Sequence, residues 1–165
     1  MERPIRFAVN GFGRIGRAVV RQWMQMEAPI GFELVAINDI APIETCAYLL
    51  EYDSVYGPAP AKIVLAECAL ILNGHSVRFT QQHDLASVDM SDVDVVFECT
   101  GKAGDSQFAC SGLRSGAKRV LILGLSDRAN VTVALGANDH LLQDQKIISN
   151  GPAPQTHLRY YCVFC

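Results

Sequence analysis

The spacing of apolar residues divides the start of the chain into a strand, a helix and a second strand. The apolar run Ile5–Asn10 leads directly into a glycine cluster, which is typical of a buried strand. After Gly13 the apolar residues recur at helical spacing, which predicts an amphipathic helix that ends at Pro29 and Gly31. A second apolar run, Phe32–Asn38, predicts the next strand. The predicted core-facing stripe of the helix contains Ile15, Ala18, Val19, Trp23 and Met26.

A second helix and a short strand are predicted next. Pro42 suits the first turn of a helix, and residues 43–50 supply that helix with an apolar side. The glycine- and proline-rich segment Gly57–Pro60 is interpreted as a connection. It leads to a short strand over Lys62–Leu65.

The dipeptide Asn73-Gly74 predicts a β-hairpin. It lies between the apolar runs Leu70–Leu72 and Val77–Thr80, and both positions of the favoured two-residue hairpin turn need a positive φ. An antiparallel pair at this point is an insertion into a chain that otherwise alternates strands and helices.

That alternation resumes in the second half of the chain. Gly116 is a natural left-handed end for a helix over Ser106–Ser115, and a shorter helix is predicted near Asp139–Leu142. Strands that alternate with helices form a parallel sheet with right-handed crossovers. The pattern therefore predicts an α/β fold with a small antiparallel hairpin insertion. The remaining predicted strands are Val93–Cys99, Val120–Leu123, Thr132–Leu135 and Ile147–Ser149.

The composition excludes several classes of protein. The chain has 165 residues, of which 50% are hydrophobic and 19% charged, unlike a disordered or coiled-coil protein. A net charge of −3 argues against nucleic acid or an anionic membrane as the main partner. No apolar run approaches the roughly 18–20 residues of a membrane span, and the N-terminus lacks the apolar stretch of a secretory signal. A cytoplasmic protein with reduced cysteines is expected.

The segment Gly11–Gly16 has the pattern G-x-G-x-x-G of a phosphate-binding loop. It follows a predicted strand directly and opens an amphipathic helix, which is the context that this motif requires. The first glycine permits a tight turn, the second lets a diphosphate approach the backbone, and the third lets helix and strand pack closely. The helix N-terminus adds unpaired N–H groups and a partial positive charge.

Asp39 completes the pattern of a dinucleotide site. It lies 23 residues beyond Gly16, at the end of the second predicted strand, where its carboxylate can accept hydrogen bonds from a ribose diol. A 2′-phosphate would place like charges about 4 Å apart at a cost of about 1–4 kcal/mol, which favours NAD over NADP. These elements together predict a Rossmann-type α/β fold, with a doubly wound and mostly parallel sheet, that binds NAD.

Beyond the glycine loop, the chain resembles the glyceraldehyde-3-phosphate dehydrogenase family. The similarity begins in Val9–Arg17 (VNGFGRIGR) and continues through six further motifs in the same order. The related erythrose-4-phosphate dehydrogenases share most of these motifs. The six motifs are Ile37–Asp39, Tyr52–Gly57, Asp94–Gly101, Gly116–Val120, Gly136–Asn138 and Ile148–Asn150.

The resemblance implies NAD-dependent oxidation of an aldehyde sugar phosphate through a cysteine thioester, in a homotetramer. In the family, the cysteine thiolate attacks the aldehyde carbon and hydride passes to the nicotinamide. The family sequence at this cysteine is Ala-Ser-Cys-Thr-Thr-Asn after Ser-Asn, whereas this chain has Gly151–Thr156 (GPAPQT). Ala153 therefore stands at the position of the nucleophile, so no catalytic residue is predicted and the chain is expected to be inactive.

Residues 151–165 are interpreted as a tail outside the family. Residues 1–150 are then the NAD-binding domain, and the catalytic domain, with most subunit contacts, is missing. Pro154–Thr156 suggests an origin for the tail, because codons for Thr-Thr-Asn read one base late encode Pro-Gln-Thr. This frameshift hypothesis requires another frame of the coding DNA to encode the family's cysteine-containing sequence.

Three departures from the family bear on the predicted cofactor site. Ala103 stands where the family has Phe or Tyr, which predicts the loss of an aromatic wall near the adenine. His83 replaces the usual Arg or Lys, and Leu123–Ser126 lacks the Ser or Thr that normally precedes the turn there. These departures predict weaker NAD binding but leave the diphosphate site in place.

The other chemically notable residues are interpreted as structural. Cys162 and Cys165 form a CxxC pair, but a structural zinc site needs four ligands and no second pair accompanies them. The histidines show no ligand spacing, so no metal is predicted. Trp23 is interpreted as a core residue. Cysteines interpreted as buried or half-buried thiols are Cys46, Cys68, Cys99 and Cys110.

Two classes of function remain open. One is a catalytically inactive NAD domain, descended from a glyceraldehyde-3-phosphate or an erythrose-4-phosphate dehydrogenase. The other is a non-catalytic nucleotide-binding or inert scaffold protein. The end of a central strand at Thr100 also predicts a contact with the nicotinamide ribose. The predicted cofactor-binding residues are Gly11, Phe12, Gly13, Arg14, Ile15, Asp39, Thr100 and Gly101.

Overall fold

The computed structural model describes residues 3–26, 31–134 and 136–150. Four helices are present in these ranges, with 3₁₀ turns at Leu85–Ser87 and Asp139–Leu141. The helices are α1 (Arg14–Gln25), α2 (Ile43–Glu51), α3 (Ser106–Ala109) and α4 (Ser111–Arg114). The strands are β1 (Ile5–Asn10), β2 (Phe32–Asn38), β3 (Tyr52–Asp53), β4 (Gly57–Pro58), β5 (Ile63–Ala66), β6 (Ala69–Leu72), β7 (His75–Thr80), β8 (Val95–Glu98), β9 (Arg119–Ile122), β10 (Val131–Thr132) and β11 (Ile147–Ser149).

Nine of these strands form one mostly parallel sheet in the order β10-β11-β9-β8-β1-β2-β7-β6-β5. The predicted α/β, Rossmann-type, doubly wound fold is confirmed, because β1 lies at the centre, β2 and β5 to β7 lie on one side of it, and β8 to β11 lie on the other. The antiparallel insertion is confirmed as well. It continues the same sheet, since β7 pairs parallel with β2 and antiparallel with β6.

Three of the predicted apolar runs have the correct bounds at both ends. Strands β1, β2 and β11 have the predicted bounds. Asn73 and Gly74 have φ values of 51° and 83°, which confirms the hairpin turn. The predicted connection at Gly57–Pro60 is different in detail, because Gly57–Pro58 pairs with Tyr52–Asp53 in a separate two-stranded sheet. Other strand bounds move by one to three residues.

Helix α1 buries a different face from the predicted one. Trp23 is a core residue as predicted, but Ile15 and Met26 are each 51% exposed. Arg21 is buried instead, and its guanidinium donates to the carbonyl oxygens of Leu50 at 2.6 Å and of Gly57 at 2.9 Å. The apolar stripe read from the sequence therefore borders a groove beside the helix, while the sheet-facing side includes an arginine that ties α1 to the end of α2. No sequence signal separated this arginine from a solvated one.

The predicted helix over Ser106–Ser115 is divided at Cys110 into α3 and α4. The Ser111 hydroxyl donates to the Phe108 carbonyl at 2.8 Å, so a side chain competes for a backbone acceptor at this point. Gly116 has a φ of +100°, which confirms it as the left-handed end of this segment. Among the helices described, none has the length and apolar character needed to cross a membrane.

Several sequence predictions fall on residues that the structure does not describe. These are the helix-ending role of Pro29, the strand position of Leu135, and everything assigned to residues 151–165. Ala153 and the Cys162/Cys165 pair are among the latter and stay predictions.

Candidate nucleotide-binding site

The carboxyl ends of four strands enclose a cleft with a volume of about 220 Å³, here called the β1 cleft. Asn10 pairs with Asn38 on one side of β1 and with Glu98 on the other, so the loops after β1, β2 and β8 begin side by side. Open α/β sheets bind ligands where the strand order reverses in this way. The cleft is lined by Asn10, Gly11, Gly13, Asn38, Asp39, Ile40, Gln82, His83, Cys99, Thr100, Lys102 and Phe108.

The three motif glycines occupy different surroundings. Gly11 has a φ of +90°, and a Cβ there would lie 2.7 Å from the Thr100 nitrogen, so only glycine fits the turn. A Cβ on Gly16 would lie 2.2 Å from the Gly11 carbonyl oxygen, because helix and loop are in close contact. In the described part of the chain, a Cβ on Gly13 would meet no atom within 4 Å apart from its immediate neighbours in sequence. The second glycine is therefore not required by packing, and the space above it is open to a ligand.

The first turn of α1 is free to bind an anion. Gly13 is its N-cap and provides no side-chain cap. Within the described part of the chain, the N–H groups of Gly13, Arg14 and Ile15 have no hydrogen-bond acceptor. Three unpaired donors at a helix N-terminus, beside an open glycine, can bind the oxygens of a diphosphate.

Asp39 supports the glycine loop as well as lining the cleft. Its carboxylate accepts from the Phe12 N–H at 2.5 Å and from the Ala41 N–H at 2.8 Å. The Phe12 side chain is buried, and its carbonyl oxygen accepts from Arg17 at 3.0 Å. Phe12 therefore anchors the loop in the core, and its N–H is already bound to Asp39. Each Asp39 oxygen keeps a lone pair that can accept from a hydroxyl group.

A chain of buried side chains crosses the base of the β1 cleft. Asn38 donates from Nδ2 to the Gln82 carbonyl at 2.9 Å, and its Oδ1 accepts from the Gln82 N–H at 3.0 Å. Asn38 Nδ2 also donates to Asn10 Oδ1 at 2.8 Å, and Asn10 Nδ2 donates to Glu98 Oε2 at 2.6 Å. The other carboxylate oxygen, Oε1, accepts from the Thr100 N–H at 2.9 Å and from the Thr100 hydroxyl.

The direction of this chain is fixed at its Gln82 end. A backbone N–H can only donate and a backbone C=O can only accept, so Gln82 determines how the Asn38 amide is oriented. Asn38 then orients Asn10, and Asn10 requires an acceptor at Glu98. Sequence reasoning did not select these residues. The available signal was a polar residue at the last position of each buried strand.

Glu98 is the chemically unusual member of the network. Burial raises the pKa of its carboxyl above the ordinary value, and the hydrogen bonds from Thr100 and Asn10 oppose that rise. Both oxygens are used as acceptors, so the carboxylate connects β1 to the loop that begins at Thr100. Glu98 therefore positions one wall of the cleft.

Glu98→Gln is expected to lower the free energy of unfolding by about 1–3 kcal/mol, because the new NH₂ group must face a donor, either Asn10 Nδ2 or the Thr100 N–H. Because the raised pKa makes ionisation of the buried carboxyl unfavourable, wild-type stability falls as the pH rises through that pKa. The difference in the free energy of unfolding between the wild type and Glu98→Gln should therefore be largest at acidic pH. Urea unfolding across the pH range measures this difference, and Glu67→Gln, at an exposed position, is the control. Equal free energies of unfolding for the wild type and Glu98→Gln at every pH would contradict the prediction.

The remaining predicted cofactor residues lie around the cleft in different ways. Gly11, Gly13, Asp39 and Thr100 line it. Gly101 follows on the exposed loop. Arg14 and Ile15 border a larger apolar groove of about 810 Å³ on the other side of α1, which also contacts Phe97 on β8. The lining of that groove is mainly apolar, whereas the β1 cleft contains Gly11, Gly13 and Asp39, so the smaller cleft is the better candidate for a nucleotide.

The described thiols are poorly suited to nucleophilic chemistry. Cys99 lines the cleft, but burial and the charge of Glu98 raise its pKa to about 12. Burial is also the main cause that raises the pKa of Cys46 to about 11. The interpretation of Cys68 was wrong, because it lies exposed in the turn between β5 and β6. In residues 3–26, 31–134 and 136–150, no group of three or more His, Cys, Asp or Glu is placed to hold a metal ion.

Comparison with known proteins agrees with this geometry. Residues 5–106 match the family model described as "Glyceraldehyde 3-phosphate dehydrogenase, NAD binding domain". The matched region contains the glycine loop, Asp39 and the Thr100 loop. The chain belongs to the glyceraldehyde-3-phosphate dehydrogenase family.

Individual members of the glyceraldehyde-3-phosphate dehydrogenase family are moderately similar to the chain. The glyceraldehyde-3-phosphate dehydrogenase of Thermotoga maritima is 39% identical over 147 residues, and the alignment covers 87% of this chain and 44% of the relative. The enzyme of Cereibacter sphaeroides is 38% identical over 147 residues, covering 88% and 44%. The cytosolic enzyme of Trypanosoma brucei brucei is 35% identical over 148 residues, also covering 88% and 44%. The chain thus spans less than half the length of these relatives.

Proposed function

We propose that the chain binds NAD in the β1 cleft and does not oxidise aldehydes. The observation that carries this proposal is the open glycine at the start of α1. Gly13 has no protein atom within 4 Å of its Cβ position, and the helix N–H groups beside it have no acceptor among the described residues. The N-terminal charge of the helix and these donors would hold the diphosphate, while Asp39 would accept from the adenosine ribose.

The position of Asp39 supports a preference for NAD over NADP. Its carboxylate is fixed by the Phe12 and Ala41 N–H groups, so it cannot easily rotate away from a bound ribose. A 2′-phosphate would lie beside this negative charge. The repulsion of about 1–4 kcal/mol corresponds to roughly fivefold to nearly a thousandfold weaker binding of NADP.

Two observations support the absence of catalysis. In ungapped family register the residue at the nucleophile position is Ala153. The cysteine that lines the cleft, Cys99, has its pKa raised to about 12, so it is a thiol and not a thiolate at neutral pH. Family members would form their thioester at a residue that this chain does not supply.

Calorimetric titration of the 165-residue chain with NAD tests the proposal. Saturable binding of NAD is expected, with NADP bound at least about fivefold more weakly. Asp39→Asn should reduce this difference in affinity between NAD and NADP. With glyceraldehyde 3-phosphate and phosphate present, no NADH absorbance should appear. A flat NAD titration from folded protein would refute the binding claim, and NADH production above background would refute the claim of inactivity.

The proposed setting is cytosolic. The relative from Trypanosoma brucei brucei is named as a cytosolic enzyme. The net charge of −3 also disfavours nucleic acid as a partner.

A further inference from the structure

The β1 cleft is lined in part by two aromatic rings, those of His83 and Phe108. Phe108, on α3, contacts the ring of His83 in an edge-to-face arrangement, with ring centroids 5.8 Å apart and an interplanar angle of 68°. The two residues come from opposite sides of the sheet centre, because His83 follows β7 and Phe108 follows β8. Both line the cleft.

The Phe108 side chain is half-buried at the wall of the cleft. The Lys102 ammonium lies over it, 5.2 Å from the ring centroid. Lys102 is exposed, so its flexible side chain can move aside at little cost. Ile40, which is 63% exposed, adds apolar surface to the same cleft directly after Asp39.

Ala103 cannot provide this wall. Its side chain is buried in the core cluster that includes Ala109 and Val96. Its carbonyl oxygen accepts from the Ser126 hydroxyl at 2.6 Å, which fixes the backbone at that point. The expectation that Ala103 leaves the site without an aromatic residue is therefore incomplete, because Phe108 lines the cleft from the next helix.

We propose that Phe108 is the residue that holds the adenine base. This inference rests on the proposed NAD binding: with the diphosphate at Gly13 and the ribose at Asp39, the base comes next along the cofactor. A purine has flat, weakly polar faces that stack on aromatic rings. Phe108, in contact with His83, offers such a surface in the same cleft as Asp39.

Phe108→Ala tests the inference, with NAD and AMP as the two ligands and calorimetric titration as the measurement. The loss of one stacking surface is expected to weaken both by at least about fivefold, and by the same factor, because both carry the adenine. Phe108→Tyr should restore binding, since it restores the ring. Phe32→Ala, which removes an exposed phenylalanine at the far end of β2, should change neither affinity.

The possible outcomes separate this inference from the function on which it rests. NAD binding that is unchanged in Phe108→Ala would overturn the role of Phe108 and leave the proposed function standing. A loss for NAD without an equal loss for AMP would also overturn it, because the effect would not be at the adenine. Failure of the folded wild-type chain to bind either ligand would overturn both proposals.

Discussion

Gly13→Val should abolish detectable NAD binding while the protein stays folded. The valine side chain would occupy the open space above the first turn of α1, where no atom of the described residues beyond its chain neighbours lies within 4 Å of the Cβ position. A diphosphate there would lose at least two charge-assisted hydrogen bonds to backbone N–H groups, each contributing about 1.5–3 kcal/mol. The expected loss in affinity is therefore about 100-fold or more. Calorimetric titration with NAD measures it, and circular dichroism verifies the fold.

Gly104→Val is the matched control for this change. Gly104 also has no atom within 4 Å of its Cβ position, but it does not line the β1 cleft. NAD affinity should stay within about twofold of wild type in this variant. If Gly13→Val bound NAD as well as Gly104→Val does, the diphosphate would lie elsewhere and the proposed function would be wrong.

Gly16→Ala should lower the stability of the fold, because the added methyl group would meet protein atoms and not an open space. A Cβ at this position would lie 2.2 Å from the Gly11 carbonyl oxygen and 3.1 Å from Val9 Cγ1. The first contact is with backbone, so α1 must move away from the loop as a unit. We expect the free energy of unfolding to fall by about 3 kcal/mol or more, which is a large part of the stability of a domain this size.

Urea denaturation of Gly16→Ala and Gly13→Ala provides the comparison. The two substitutions add the same methyl group three residues apart, and only one of them meets protein. Gly13→Ala should unfold at nearly the wild-type urea concentration. Equal midpoints for the two variants would show that the close contact between Gly16 and Gly11 is not rigid, and would contradict the packing described here.

The sequence predicted those features that local physics decides. The residues Phe7–Val9 are apolar without interruption because this part of a central parallel strand is buried on both faces. Asparagine and glycine adopt a positive φ more readily than other residues, so the dipeptide Asn73-Gly74 was enough to predict the hairpin turn. The motif glycines and Asp39 were visible because the backbone geometry of a phosphate loop admits few alternatives.

The features that the sequence did not reveal depend on long-range contacts. Arg21 is buried only because Leu50 and Gly57 bring unpaired carbonyls to it, 29 and 36 residues later in the chain. Phe108 lines the cleft together with His83, a residue from a different part of the chain. Periodicity describes one element at a time, so it could not show either contact.

The network beneath the cleft was hidden for the same reason. Asn10, Asn38 and Glu98 each end a different strand, and nothing within any one of these strands indicates that the three side chains meet. Their partnership follows from strand order, which brings β2, β1 and β8 together.

The one-way order of donors from Asn38 to Glu98 excludes proton conduction through that route. Amide groups pass a proton along only by tautomerising, and the Gln82 backbone prevents the Asn38 amide from turning over. The network therefore holds the Thr100 loop in a fixed position, and it neither conducts protons nor switches between two arrangements. The wall of the cleft is therefore preorganised, because its shape does not depend on a bound ligand.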